Sequence, residues 1–133
     1  MVTYLRRSRL WFQVAASITA PRDLPFPGTV RPAVDASDTR HKVFAVRETI
    51  PVQRAGPMVL LYPEWETASH APTVSVARLA GLTVRGNGRR LDWRRDPVDV
   101  HAFHVEVPQG VEALDLDFQY LSPPGTGQPS APA

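Results

Sequence analysis

Glu112-Ala-Leu-Asp-Leu-Asp-Phe-Gln-Tyr-Leu121 alternates without a break. Leu114, Leu116, Phe118 and Tyr120 fall on one side of an extended chain, and Asp115, Asp117 and Gln119 fall on the other. A period of two belongs to a β-strand with one buried and one wet face; a helix would scatter the same residues around its axis. Such a strand needs neighbours, and the rest of the sequence supplies them. Residues 98–107 put Phe103, Val105 and Val107 on a common face, and Pro108-Gln-Gly110 joins them to the run above. Residues 41–50 alternate as well, with Phe44, Val46 and Ile50 sharing a side with Lys42 and Glu48, two charges expected near solvent.

Working further out, residues 29–34 form a first extended run. Residues 58–62 are continuously apolar, as a strand covered on both faces would be. Residues 82–85 and 89–93 flank Gly86-Asn87-Gly88. Asn-Gly between extended runs is a hairpin signal, because a type I′ turn needs positive φ at both central residues. Only residues 73–80 suit a helical turn, and they are too few to change the class. Short runs broken by turn chemistry every roughly eight to twelve residues specify an all-β fold. The expectation is an antiparallel β-sandwich of about seven or more short strands, spanning residues 29–122 as one domain.

A chain of 133 residues suits a single core that buries roughly two-thirds of its unfolded surface. It has no cysteine, which removes disulfides, thiolate metal sites and cysteine nucleophiles. All fifteen Lys and Arg lie at or before Arg95, and from Asp96 onward every charged side chain is acidic. Charges spread over solvated strand faces account for this asymmetry. Residues 1–28 carry Arg6, Arg7 and Arg9, then Leu10-Trp-Phe-Gln-Val-Ala-Ala-Ser-Ile-Thr-Ala20 and a Pro-rich connector. This outlines an atypical export signal that is too short to span a membrane. If it works, the protein is periplasmic or secreted. Residues 123–133 are Pro- and Gly-rich, as expected of a flexible tail.

Candidate chemistry is sparse. His101 and His104 are three apart, whereas a zinc-peptidase helix places its histidines four apart with a glutamate beside the first. On a strand the two rings diverge, so His101 reads as a core-edge residue and His104 as solvent-facing. No metal, cofactor or catalytic residue is expected. The loop holding Trp65, Glu66 and His70, with Glu64 nearby, combines an aromatic, carboxylates and an imidazole. It is the candidate cleft or interface loop. Ser69 precedes His70, but no nucleophile elbow surrounds it. The glycines at 81, 86 and 88 are explained by strands and a hairpin, with no helix following to cradle a phosphate. Arg85, Arg89, Arg90, Arg94 and Arg95 gather around the hairpin with Trp93, yet Asp92, Asp96 and Asp99 offset them. No nucleic-acid partner and no membrane span are expected.

A set of short segments, in order, resembles the N-terminal β domain of the glycyl aminopeptidase family of zinc metallopeptidases. They include Pro27-Gly-Thr-Val, Glu48-Thr-Ile-Pro51, Leu61-Tyr-Pro63 with Trp65, and His70-Ala-Pro72. Leu79-Ala-Gly-Leu82, Trp93-Arg-Arg-Asp-Pro-Val-Asp99, Ala102-Phe-His-Val105 and Phe118-Gln-Tyr-Leu-Ser-Pro123 continue the series. The chain departs from the family at Glu66-Thr-Ala-Ser69, where a Pro-Gly pair is usual, which leaves that loop less predefined. The resemblance implies a domain that packs on a catalytic metallopeptidase domain, normally in the same chain, and contacts peptide substrate indirectly. Zinc and the general base would belong to that other domain, because no H-E-x-x-H occurs here. The expected function is therefore a non-catalytic N-terminal domain, a fragment or truncation, with no activity of its own. The alternative is a stand-alone β-sandwich module that binds a peptide or glycan.

Overall fold

The computed structural model describes residue 18 and residues 25–68 and 70–122. Within them, strands follow in the order β1 (Arg31–Asp35), β2 (Val43–Pro51), β3 (Gly56–Leu61), β4 (Leu79–Gly86), β5 (Arg89–Leu91), β6 (Trp93–Arg95), β7 (Ala102–Val107) and β8 (Ala113–Leu121). A five-stranded sheet ordered β1-β2-β8-β4-β5 packs on a three-stranded sheet ordered β3-β7-β6. Every strand pairing is antiparallel. The all-β sandwich expected from the sequence is the fold. The export-like segment lies outside the described residues apart from Ile18 and residues 25–28, and the tail at 123–133 lies outside them entirely.

The alternating strand is the centre of the large sheet. β8 pairs with β2 along its whole length and with β4 on its other side. Its apolar side meets Phe44, Val46 and Ile50 of β2 and Val84 of β4 in register. Leu114 and Val84 are fully enclosed, and Leu60, Phe103, Val105 and Val107 of the small sheet close the core from above. Burying each such side chain stabilises by roughly 2 kcal/mol, so the inner face decides the register. The opposite side of β8 faces water. There Thr49 donates to Asp115 at 2.9 Å, and Asp117 pairs with Arg85 and, at 3.3 Å, with Arg47. Exposed pairs of this kind are worth at most about 1 kcal/mol each, so they decorate the sheet rather than hold it.

The Asn87-Gly88 hairpin is as the sequence specified. Gly86 pairs with Arg89, and the two loop residues have φ of 49° and 75°. The Asn87 side chain also donates to the Gly110 carbonyl at 3.0 Å, tying this turn to the one before β8. Ser75 caps a single 3-10 turn, Val76–Arg78, where a short helical turn was expected.

Three local expectations need correction. Residues 89–93 are not one strand: the chain leaves the large sheet after Leu91 and enters the small one at Trp93. Residues 98–107 begin as a loop, and the strand starts only at Ala102. Asp96 and Asp99 hold that loop by accepting from the backbone N–H groups of Val98, Asp99 and His101, which competes with a ladder. Finally, the apolar run at 58–62 is not covered on both faces. β3 is an edge strand whose Met58 and Leu60 point inward, while Leu61 is 61% exposed. A short apolar run does not distinguish a doubly buried strand from one whose second face awaits a partner.

Candidate functional site

Three strands cannot cover five. Residues directly opposite in an antiparallel pair share a face, so Val34 of β1, opposite Val46, and Pro32, opposite Glu48, belong to the inner face of the large sheet. Both are nonetheless exposed, Val34 by 61%. The β1–β2 wing therefore extends past its cover. An apolar groove of about 400 Å³ opens there, between the wing and the edge strand β3. Val46, Phe118, Leu61 and Tyr62 are among the residues that line it, and Glu48 stands in the same wall.

The mouth of the groove leads into the loop singled out in the sequence. Tyr62 and Pro63 line the groove, and the chain runs on through Trp65, Glu66 and His70. Tyr62 is fixed at both ends. Its N–H donates to the His101 carbonyl at 2.8 Å, and its ring stacks on the His101 imidazole at 6.4 Å. Burial pushes its phenol above the ordinary value, the Tyr120 phenol adds to this, and Arg78 opposes it. Arg78 in turn donates to the Tyr120 hydroxyl at 3.0 Å.

Three hydrogen bonds brace the described part of this loop. Glu66 N–H donates to the Ala71 carbonyl at 2.9 Å, Val74 N–H to the Glu64 carbonyl at 3.2 Å, and the Thr73 hydroxyl to the Glu66 carboxylate at 2.7 Å. Trp65 is 58% exposed. His70 is also exposed, with φ of +50°, a left-handed backbone unusual for a non-glycine residue. The three candidate residues thus sit on the loop that runs on from the groove lining at Tyr62 and Pro63, with Glu66 bonded to Thr73.

The two histidines weighed as metal ligands have separate duties. His101 Nε2 lies 3.2 Å from the Val74 carbonyl, anchoring the loop's far end. His104, expected to face solvent, is mostly covered, with Nε2 2.8 Å from Asp96 Oδ2. The cover is the Asp96-Pro-Val-Asp99 loop itself, which folds over the outer face of the small sheet. Asp96 is only 4% exposed, the one buried charged residue among those described. The backbone N–H groups of Asp99 and then Val98 hold its carboxyl below the ordinary value, and His104 adds to the effect. This buried hub was not foreseen; the signal for it is the D-P-x-D pattern, whose first carboxylate caps the turn that follows. Among the described residues no three His, Asp or Glu side chains gather where a metal ion could be held. No helix among the described residues is long and apolar enough to cross a membrane.

The sequence profile of the Peptidase M61 N-terminal domain matches residues 31–129. This chain belongs to that family. The match takes in every strand of both sheets, so the Peptidase M61 N-terminal domain is the sandwich itself together with its groove and loop. A crystal structure of an aminopeptidase N family protein from Idiomarina loihiensis is similar in fold, with a TM-score of 0.59 over 71% of this chain at 16% identity. The chain spans only 15% of that relative's length. Among curated proteins none matches the chain.

Proposed function

We propose that this domain is the non-catalytic N-terminal part of a glycyl-aminopeptidase-like zinc metallopeptidase, and that it packs on the catalytic domain and helps wall the substrate cleft. The observation that carries the reading is the uncovered wing. A sandwich that leaves Val34 of the large sheet and Leu61 of the small one in water beside an apolar groove has a face prepared for a further protein surface. The adjoining Trp65–Glu66–His70 loop is then placed to border the cleft. Zinc and the acid–base groups belong to the catalytic domain, and this chain alone has no peptidase activity.

The test is association. The purified chain is mixed with a catalytic domain from a family member, and complex formation is followed by sedimentation velocity. Binding is expected, and Val34→Lys or Leu61→Lys should weaken it at least tenfold while leaving the fold intact, since both side chains are exposed. Undiminished binding by both variants would refute the docking face. Zinc-dependent cleavage of glycyl or alanyl substrates by the chain alone would refute the division of labour.

A further inference from the structure

Glu48 is the anomaly of the groove. It sits at an inward position of β2, opposite Leu116 on one side and Pro32 on the other, in a wall that is otherwise almost wholly apolar. It is partly buried, and within the described residues its carboxylate has neither a hydrogen bond nor an ion pair. The cations nearest in register do not serve it. Arg31, opposite Thr49, belongs to the other face of the sheet, Arg47 and Arg85 are committed to Asp117 on that same face, and Arg78 to the Tyr120 hydroxyl. A carboxylate flanked by apolar side chains loses part of its hydration when the groove is covered. A purely apolar occupant would make that loss uncompensated, and a cationic one would offset it.

We propose that the groove receives an apolar polypeptide segment carrying a single Lys or Arg, whose cation pairs with Glu48. On the reading of the preceding subsection, the catalytic domain supplies that segment. Charge complementarity then fixes the register of docking: apolar side chains enter beside Val46 and Phe118, and the basic one lies against the β2 edge of the groove. Most of the affinity comes from apolar burial, whereas the pair decides which segment is accepted.

The experiment uses the whole chain and two blocked peptides, acetyl-Ala-Leu-Arg-Leu-Ala-amide and the same peptide with Gln in place of Arg. Binding is followed by backbone amide shifts in NMR titrations. The Arg peptide should bind about fivefold more tightly than the Gln peptide, with shifts centred on Val46, Glu48, Leu116 and Phe118. Glu48→Gln should make the two peptides equal without disturbing the remaining spectrum. Leu61→Asp, at an exposed lining position, should weaken both. Equal affinities for the unaltered protein, or shifts centred elsewhere, would overturn the inference. An Arg preference together with no association of any catalytic domain would keep the groove site and remove only the docking partner.

Discussion

Replacing Gly86 by alanine should destabilise the domain, although the same change in an open strand would do the reverse. Gly86 ends β4 on the inner face, and a Cβ there would lie 2.9 Å from Val111 Cγ1, 3.1 Å from Val111 Cγ2 and 3.3 Å from Leu91 Cδ1. The first distance is short of ordinary contact by about 0.5 Å. Leu91 has freedom to turn aside, but both methyls of Val111 crowd the site, and its backbone is held in the turn that precedes β8. Overpacking of this kind costs about 1–3 kcal/mol. The loss of glycine's unfolded-state entropy returns about 0.5–1 kcal/mol. The net expectation is a loss of about 1–2 kcal/mol, or roughly 5 °C in Tm for a domain of this size. The assay is urea unfolding of Gly86→Ala, Val111→Ala and the double variant. Val111→Ala alone should cost about 2 kcal/mol by leaving a gap. In the double variant the new methyl fills part of that gap, so the combined loss should fall at least about 1 kcal/mol below the sum of the two. Additive losses, or an unchanged or higher urea midpoint for Gly86→Ala, would refute the packing argument.

Acid should weaken the fold from about pH 4 downward. Asp96 is held below its ordinary 3.8 by backbone N–H groups and His104, so the stability it contributes is present above that value and lost as pH falls through the lower folded one. Asp35 and Asp38, also lowered, add in the same sense, so Asp96→Asn should flatten the acid limb of a urea-midpoint profile without abolishing it. A limb unchanged by the substitution would remove Asp96 from the account. Asn87→Ala loses both a side chain tolerant of φ at +49° and the bond to Gly110; a drop of about 1–2 kcal/mol in urea unfolding is expected, and a neutral result would mean the turn has relaxed. Trp93→Phe removes the indole N–H that donates to the Leu82 carbonyl at 3.1 Å and alters the edge-on packing against Phe103; calorimetry should register a loss of about 1–2 kcal/mol, and an equal Tm would deny the bond its role.

How far the sequence carried depends on which signals were local. β8 and β2 were legible because a buried face and a wet face impose a strict alternation. The Asn87-Gly88 turn was legible because few residue pairs accept two positive φ angles in succession. The break between Leu91 and Trp93 was not, since a strand that changes sheets keeps the same alternation on either side of the corner. The role of Asp96 was hidden for a related reason. A carboxylate beside Pro97 reads as a surface turn until His104, eight positions on, proves to be its partner. The groove escaped notice because no single segment encodes it; it follows from one sheet having two more strands than the other. Glu48 on an apolar face was its only trace, and near-solvent placement was a sufficient account of it at that level. Trp65, Glu66 and His70 were grouped by adjacency, and what ties their loop to the groove is Tyr62, which the sequence marked only as the end of an apolar run and as part of a family-like segment.

The position of β8 has a consequence for how the domain is made. Of the eight described strands, the one that unites β2 and β4 is the last to leave the ribosome, so until it emerges those two have no common neighbour. Each presents unpaired backbone groups on the edge that β8 will occupy. Pairings between residues so far apart in sequence form slowly. The large sheet therefore closes only once Leu121 has emerged, and until then the nascent chain is a set of hairpin-length pieces in need of shelter.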